Sequence, residues 1–385
     1  MRVSEPRLSK YLHHAAAEKG VPLSGTFELS PCCNMDCRMC YVRKTRKEVE
    51  MAGGELSVEK WLSIADECRK AGTLFLLLTG GEPFLYSGFR ELYLELARMG
   101  FMISINTNGT MITEDTVSWL RENPPARMNI TLYGASDATY EKLCRNSRGY
   151  TQTVNAVRLL KAAGISVKLN ASMTPYNIAD LDGIYKTAEE LNVYVQATAY
   201  RYPPIRKNKA EIGHGDRFSP EESGMWEAAI DKKRLTPEQY RKRIEMIRKN
   251  ILEKNETEGA ENPGDEEAKE TGETMRCRAG RTSFWINWKG EMTPCGMMVE
   301  PVTYPFRDGI QPAWEQLRKD TEQILLAAGC GSCRMKDMCP VCAASAYAET
   351  GRFDAVPEYL CRMTRAKIEY TISGKEMVQT CDTAE

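Results

Sequence analysis

The chain has 385 residues, of which 42% are hydrophobic and 27% charged, a composition typical of an ordinary soluble globular protein. Its formal net charge is −1, so the composition predicts no nucleic-acid partner and no attraction to an anionic membrane surface. The sequence has no run of about eighteen apolar residues and no signal-peptide pattern, so we expect a cytoplasmic protein with no membrane association.

Cysteine is the residue type that stands out. Fourteen cysteines in a chain expected to be cytoplasmic favour metal or redox chemistry over disulfide bonds. Histidine is rare, so we expect no metal site built on imidazoles. His13 and His14 fall in an amphipathic helix predicted over residues 4–19, where we expect solvated side chains.

After this helix, strand-like and helix-like segments alternate with short links, which is the pattern of a parallel sheet built from βα units. The predicted strands cover Thr26–Leu29, Leu74–Thr79, Met102–Asn106, Met128–Tyr133, Ser166–Ala171 and Val193–Thr198. The predicted helices between them cover Val58–Ala71, Phe89–Met99, Glu114–Arg121, Tyr150–Ala163 and Ile178–Leu191. The sequence therefore predicts an α/β protein.

Three thiols follow the first predicted strand at C-x3-C-x2-C spacing, namely Cys33, Cys37 and Cys40. This is one ligand fewer than usually closes a [4Fe–4S] cluster, so one iron is left open to a small molecule. A structural zinc site needs four ligands, which makes zinc a poor fit. The loop resembles the cluster-binding loop of the radical SAM enzymes, whose open iron binds S-adenosylmethionine. The residue before the last cysteine is usually aromatic in that family, and here Met39 takes its place against the adenine.

Gly80-Gly81-Glu82-Pro83 follows the second strand. The glycines allow close approach of a ligand, and the carboxylate can accept hydrogen bonds from an ammonium group. The turn resembles the family motif that holds the amino group of S-adenosylmethionine. Further contacts implied by the resemblance are Asn106 and Asn108 after the third strand, Thr131 at the ribose, Arg145 or Arg148 at the carboxylate, and Asn170 at the nucleoside. An Asn-Gly turn, a strand-forming threonine and surface arginines are the structural alternatives.

The resemblance implies a partial (β/α)6 TIM-type barrel with a C-terminal cysteine-rich α+β extension, and with chemistry at the carboxyl ends of the strands. We expect an N-terminal helix over residues 1–24, the barrel over 25–205, a charged helical linker over 206–275 and the extension over 276–385. The linker is predicted to contain helices at Pro220–Lys232 and Pro237–Asn255, and then a solvated stretch over Glu256–Thr274.

A second cysteine system begins at Cys277 and Cys295, which bracket a strand-like run with a turn at Gly290. Five more thiols follow: Cys330, Cys333, Cys339, Cys342 and Cys361. The order resembles the SPASM extension of radical SAM enzymes, which carries one or two auxiliary [4Fe–4S] clusters; a zinc ribbon is the alternative. The resemblance assigns an outer cluster to Cys330, Cys333, Cys339 and Cys361. It assigns an inner cluster, one ligand short, to Cys277, Cys295 and Cys342.

Four cysteines stay outside these sets. Cys32 interrupts the loop spacing, Cys68 lies on a predicted core helix, and Cys381 has no assignment. Cys144 lies on the expected substrate side and is a candidate hydrogen-atom donor.

The resemblance implies reductive cleavage of S-adenosylmethionine to a 5′-deoxyadenosyl radical, which takes a hydrogen atom from the substrate. Relatives with this extension mostly modify peptides or proteins, so we expect maturation of a ribosomal peptide by a thioether or carbon–carbon crosslink. An implied partner is an electron donor such as flavodoxin or ferredoxin. Recognition of a leader peptide would need a separate leader-binding protein or the helix at residues 4–19.

Three other functions stay open. A formylglycine-generating enzyme would have an aspartate base after the cysteine that corresponds to Cys295, but Gly296 stands there. A small-molecule dehydrogenase or mutase would use the same machinery. A non-catalytic iron–sulfur carrier would need no open iron, so the Gly80–Glu82 motif argues against it.

Overall fold

The computed structural model describes residues 7–252 and 272–374. Its centre is an eight-stranded sheet in the order β6-β5-β4-β3-β2-β1-β7-β8, in which every pair is parallel except β7 with β8. The strands are β1 Ser24–Glu28, β2 Phe75–Thr79, β3 Met102–Thr107, β4 Arg127–Thr131, β5 Val167–Ser172, β6 Tyr194–Thr198, β7 Ser283–Ile286 and β8 Met292–Thr293. The predicted α/β class with a parallel partial barrel is confirmed.

The first six strands lie within two residues of their predicted places, and most of their buried positions alternate with half-buried ones. β7 comes from the predicted strand-like run between Cys277 and Cys295, and it pairs in parallel with β1. The cysteine-rich extension therefore supplies two strands of the same sheet. The predicted domain limits at residues 205 and 275 stay a prediction.

Helices cover the sheet. They are α1 Arg7–Lys19, α2 Arg46–Met51, α3 Val58–Lys70, α4 Phe89–Arg98, α5 Glu114–Glu122, α6 Asp137–Cys144, α7 Gly149–Ala162, α8 Leu181–Glu190, α9 Pro220–Arg234, α10 Pro237–Ile247, α11 Pro305–Asp308, α12 Ile310–Glu322, α13 Ala328–Gly331, α14 Ala343–Thr350 and α15 Glu358–Ser373. Short 3-10 turns lie at Pro83–Leu85, Ile178–Asp180 and Lys209–Glu211, and a π turn at Arg248–Leu252 follows α10. The short helices α2 and α6 were not predicted, since six to eight residues carry little periodicity.

The core lies between the sheet and its helices. Trp61 of α3 is fully buried and stacks against Phe27 of β1, with 4.8 Å between ring centroids. Cys68 is buried in this core, as predicted. In the described ranges no helix is long and apolar enough to span a membrane.

The N-terminal helix differs from the prediction. His13 was expected in solvent, but it is buried and its Nδ1 lies 2.9 Å from Thr282 Oγ1 just before β7. Leu8 and Tyr11, two hydrophobic residues of the same helix, are exposed instead. The helix packs through His13 and Ala16 because these residues face the sheet edge.

Several predicted segments lie outside the described residues: residues 4–6 of the first helix, 253–255 of the helix after Pro237, residues 256–271 of the linker, and Cys381.

Candidate active site

The cysteine loop is fixed to the Gly80–Glu82 turn by main-chain hydrogen bonds. Gly81 N donates to Ser30 O at 2.7 Å, and Glu82 N donates to Cys32 O at 2.8 Å. A Cβ on either glycine would lie 2.3 Å from one of these carbonyl oxygens, so only glycine allows the two loops to come this close. The glycines thus serve the approach of two protein segments as well as forming part of the cavity wall described below.

The other side of the cysteine loop rests on the end of α6. Asp36 N donates to Cys144 O at 3.0 Å, and Arg38 N donates to Leu143 O at 3.1 Å. The Cys144 thiol is fully buried and hydrogen-bonds the Cys37 sulfur. This bond, more than the opposing burial, lowers the pKa of Cys37, and the Tyr133 hydroxyl adds to the effect. Cys144 therefore lies behind the loop, and its role as a hydrogen-atom donor stays a prediction.

Each loop thiol has a hydrogen-bond donor. Cys33 Sγ accepts from Met35 N at 3.4 Å and from Asn108 Nδ2 at 3.7 Å, and Cys40 Sγ accepts from Arg43 N at 3.3 Å. Burial raises the pKa of Cys33 to about 12 and also raises the pKa of Cys40. Without a metal these two thiols keep their protons, whereas N–H donors stabilise them once they bind as thiolates.

Glu82 lies beneath the cavity floor with no exposed surface. Its carboxylate accepts from Thr107 Oγ1 at 2.7 Å, Asn108 N at 2.9 Å and Phe84 N at 3.2 Å. Burial raises the pKa of Glu82 to about 7 against these three donors. The carboxylate thus joins the second and third strand ends, and its predicted contact with a ligand ammonium stays a prediction because the group has no exposed surface.

A cavity of about 390 Å³ opens at the carboxyl ends of the strands, and we call it the radical cavity. The predicted residues that line it are Cys33, Cys37, Met39, Cys40, Gly80, Gly81, Asn106, Asn108, Thr131 and Asn170. Glu82 and Pro83 lie behind its wall. The structure therefore brings residues from the ends of five predicted strands together, as the parallel arrangement requires.

The predicted carboxylate contacts lie elsewhere. Arg145 caps α6 in the left-handed region (φ 55°) and is exposed, with Nε 3.6 Å from Asp36 Oδ2. Arg148 caps the start of α7. Arg201, after β6, is the guanidinium that lines the radical cavity, and its Nη2 donates to Met39 O at 3.2 Å. The contact proposed for Arg145 stays a prediction.

Arg201 is a cation in a poorly solvated place. Burial lowers its pKa, and Tyr133, Tyr41 and the thiols of Cys40 and Cys37 act in the opposite direction. Its Nε is buried and meets no acceptor among the described residues. A buried cation of this kind favours nearby negative charge, which thiolates or a bound carboxylate would supply.

A second cavity of about 460 Å³ adjoins the first and shares Met39, Cys40, Arg201 and Tyr202 with it. The segment between β6 and α9 forms its other wall, with charges of both signs from Lys207, Glu211, Asp216 and Arg217. Arg217 is neutralised by Glu349, since both side chains are almost fully buried and form a double hydrogen bond. We call this second cavity the vestibule.

The C-terminal thiols form two groups. Cys277, Cys295 and Cys342 interact electrostatically and form the inner group. Cys330, Cys333, Cys339 and Cys361 do the same and form the outer group. Burial first, and then the neighbouring thiols, raise the pKa of Cys277, Cys295, Cys330 and Cys361. The grouping is that predicted, and the ligand roles stay predictions.

The donor chemistry suits iron–sulfur clusters. All three groups consist of thiols, which are the usual ligands of [4Fe–4S] clusters, and the three loop thiols that would hold such a cluster line the radical cavity. In the part of the chain described, no group of three His, Cys, Asp or Glu side chains is arranged to hold a single metal ion.

Residues 27–188 match the family model described as the Radical SAM superfamily. This chain therefore contains a radical SAM domain and is an enzyme, and such a domain implies a [4Fe–4S] cluster and S-adenosylmethionine as cofactors. The loop thiols and the cavity above them fit that pair.

The curated relatives have two different named functions. An AdoMet-dependent heme synthase of Methanosarcina barkeri is 25% identical over 344 residues, which is 85% of this chain and 93% of the relative. The sporulation killing factor maturation protein SkfB of Bacillus subtilis is 24% identical over 193 residues, which is 50% of this chain and 46% of the relative.

Solved structures confirm the fold. Native anSMEcpe with bound AdoMet has a TM-score of 0.65 at 16% identity and covers 92% of this chain and 98% of its own. Streptococcus suis SuiB bound to its precursor peptide SuiA has a TM-score of 0.62 at 15% identity, covering 92% and 80%.

The sequence did not indicate several residues of the site. Tyr133, Arg201, Tyr202 and Met297 line the radical cavity without belonging to any motif. One signal was available for three of them, since each follows a strand by two to four residues and strand ends meet at this edge. Met297 had none, because it depends on how the extension folds back.

Proposed function

We propose that this enzyme uses the radical SAM reaction to modify a peptide or protein, as in crosslinking during maturation of a ribosomal peptide. The radical cavity carries the proposal, because the three loop thiols share it with the residues that we propose to bind the nucleoside and the amino acid of S-adenosylmethionine. When bound, the cluster and S-adenosylmethionine supply a 5′-deoxyadenosyl radical that removes a hydrogen atom from the substrate.

The chain's own residues have distinct proposed roles. Cys33, Cys37 and Cys40 hold the cluster, and Gly80, Gly81 and Glu82 hold the ligand's amino group. Asn106, Asn108, Thr131 and Asn170 orient the nucleoside, while Met39 packs on the adenine. Arg201 stabilises the negative charge of the thiolates and of the ligand carboxylate. The vestibule, which opens beside Met39, is the proposed path for the substrate.

Peptide substrates are supported by two observations. SkfB, a sequence relative, is a maturation protein, and SuiB, a neighbour in fold, has been solved with a precursor peptide. The inner group adds to this support, since an auxiliary cluster beside the radical cavity is suited to accept an electron from a substrate radical.

A second candidate is radical chemistry on a small molecule with carboxylate groups. The extended similarity to AdoMet-dependent heme synthases favours it, and so do the cationic side chains of Arg38, Arg201 and Lys207 at the vestibule. A formylglycine-generating enzyme is disfavoured. A Cβ on Gly296 would lie 2.7 Å from the ring of Trp285, so a carboxylate base would not fit there without movement.

The enzyme should be reconstituted anaerobically and incubated with S-adenosylmethionine and a strong reductant. We expect 5′-deoxyadenosine from the wild type and none from Cys33→Ala. Cys32→Ala is the matched control. Cys32 lies in the same loop but is not a proposed ligand of the cluster, so this variant should keep its activity. Absence of 5′-deoxyadenosine from the wild type would contradict the proposed reaction.

The substrate class is tested in parallel reactions. Precursor-like peptides containing cysteine should lose two hydrogen atoms on crosslinking, as measured by mass spectrometry. Conversion of a tetrapyrrole carboxylate, with no change in any peptide, would instead establish the second candidate. Reduced flavodoxin or ferredoxin should be able to replace the chemical reductant in this reaction.

We also propose a cytoplasmic location, because this chemistry needs reducing conditions.

The number of clusters is tested by iron and sulfide analysis. We propose two auxiliary clusters, so the wild type should hold about twelve irons per chain, at four for each cluster. Zinc in the extension and only about four irons would support the zinc-ribbon alternative.

A further inference from the structure

Tyr202 stands between the radical cavity and the inner group. It follows β6 by four residues and lines both the radical cavity and the vestibule. Its hydroxyl lies 3.6 Å from Cys342 Sγ, which is within hydrogen-bond range for sulfur. Cys342 belongs to the inner group, so this hydroxyl connects the radical cavity to that group.

The phenol is the donor in this pair once the thiol binds a metal. A phenol hydroxyl carries one proton that it can donate in a hydrogen bond. A metal-bound thiolate has no proton to donate and can only accept. The geometry therefore gives Cys342 a hydrogen bond that comes from the wall of the radical cavity.

Tyr200 shows that this contact is specific to one of two similar residues. Its ring lies 5.0 Å from that of Tyr202, between centroids, and it lines the same cavity. The Tyr200 hydroxyl, however, donates to Glu349 Oε1 at 2.9 Å. Two neighbouring phenols thus face the radical cavity, and one of them contacts the inner group through its hydroxyl.

We propose that Tyr202 sets the reduction potential of an inner iron–sulfur cluster and so couples that cluster to the substrate radical. This inference rests on the proposed function, in which the inner thiols hold such a cluster. Hydrogen bonds to ligand sulfur stabilise the more negative, reduced state and raise the potential. Tyr202 acts here as a positioning residue and is not itself oxidised.

The proposed step transfers one electron from the substrate radical to the inner cluster. A substrate carbon that has given a hydrogen atom to the 5′-deoxyadenosyl radical keeps one unpaired electron. That electron passes to the inner cluster, which is reduced by one electron. The attacking thiol or carbon centre loses a proton to solvent, and the new bond closes on the oxidised carbon. A lower cluster potential makes this transfer less favourable.

The test is a redox titration of the reconstituted protein, followed by electron paramagnetic resonance. Replacing Cys33, Cys37 and Cys40 by alanine removes the loop cluster's signal, and Cys295→Ala identifies the inner one. In the variant that lacks the three loop cysteines but keeps Cys295, Tyr202→Phe should lower the ratio of reduced to oxidised inner cluster about tenfold at a fixed potential. For a one-electron couple this is a shift of about 59 mV.

Tyr200→Phe is the matched control and should leave the reduction potential of the inner cluster unchanged. Neither Tyr202→Phe nor Tyr200→Phe should change the reduction potential of the outer cluster. In the otherwise intact enzyme, Tyr202→Phe should lower the amount of product formed per 5′-deoxyadenosine released. An inner potential that is the same in wild type and Tyr202→Phe would overturn the inference.

A second variant is needed in case Tyr202→Phe loses the inner cluster. Placing 3,5-difluorotyrosine at position 202 keeps the shape and makes the hydroxyl a stronger donor, so the inner potential should rise. No rise would equally overturn the inference. If iron analysis shows no inner cluster even in the wild type, the assignment of that cluster fails, which is a separate result.

Discussion

At the scale of single residues, the closest packing in the site lies where the cysteine loop meets the Gly80–Glu82 turn. The two carbonyl oxygens that receive hydrogen bonds from this turn occupy the space that side chains would need at positions 80 and 81. The turn is therefore restricted by its neighbour as well as by any ligand.

Gly81→Ala should disrupt the cysteine loop. Its Cβ would lie 2.3 Å from the Cys32 carbonyl oxygen, which is main chain and cannot move freely. We expect a loss of about 1–3 kcal/mol in the free energy of unfolding and of about four irons per chain. Denaturant titration and iron analysis measure these changes. Gly329→Ala, which meets nothing within 4 Å, should change neither, and equal iron loss in both variants would contradict the explanation.

Glu82 makes stability depend on pH. Its pKa is about 7 in the folded protein against an ordinary value of 4.5, because burial disfavours the charged form. The folded state then binds more protons than the unfolded one between these values. Stability is fully retained below about pH 4.5, falls as the pH rises towards 7, and is level above it. The loss is about 3 kcal/mol.

Urea titrations at pH 5 and pH 8 should show this loss in the wild type and not in Glu82→Gln. The exposed Glu91→Gln variant should follow the wild type. A pH dependence that is unchanged in Glu82→Gln would refute the assignment to this carboxyl group.

Site residues were predictable where they are neighbours in sequence. Cys33, Cys37 and Cys40 lie within one loop, so their spacing indicated a cluster site, and Gly80 and Gly81 followed from the resemblance of their turn to a radical SAM motif. Tyr202 and Cys342 are 140 positions apart, and no local pattern predicts their contact. The position of Glu82 behind the wall was also hidden, because two of its three donors, Thr107 and Asn108, belong to the end of the third strand and not to the motif.

At the scale of elements, the six βα units were predictable because alternating burial and helix-ending glycines repeat along the chain. The pairing of β7 with β1 was not, since a strand's partner leaves no trace in its own periodicity. The close packing of α9 and α15 was missed for the same reason.

Gly224→Ala should separate α9 from α15. A Cβ at this position would lie 2.2 Å from Met363 O and 2.8 Å from Lys367 N, both main-chain atoms of α15. Cys361 lies on the same helix, so we expect lower stability by about 1–3 kcal/mol and loss of outer-group iron. Lys232→Ala, an exposed change on α9, is the control. Normal iron content in Gly224→Ala would show that helix spacing does not support the outer group.

At the scale of the whole molecule, a buried ion pair joins three parts of the chain. Glu28 at the end of β1 accepts two hydrogen bonds from Arg206 Nη2, at 2.9 and 2.8 Å. Arg206 Nη1 donates to Gly296 O at 3.0 Å, beside Cys295. Trp285 Nε1 donates to the same carboxylate at 3.0 Å. The barrel, the segment after β6 and the extension thus meet at one carboxylate.

Breaking this pair should be costly because either partner would be left as a buried charge. Arg206→Met and Glu28→Gln should each lower the free energy of unfolding by about 3–5 kcal/mol. The double variant should lose less than the sum, which a double-mutant cycle of denaturant titrations measures. Strict additivity would mean that the two groups act independently.

The parallel pairing of β1 with β7 also bears on how the chain folds during synthesis. β1 carries the cysteine loop, yet one of its edges stays unpaired until residues 283–286 have left the ribosome. Contacts of such long sequence separation form late, and an open parallel edge in the meantime invites pairing with other chains. A nascent chain that has completed only its first six strands would therefore expose the edge nearest the cluster loop. The edge of β1 must therefore be kept from pairing with other chains until β7 has been synthesised, both for the sheet to fold and for the neighbouring cysteine loop to receive its cluster.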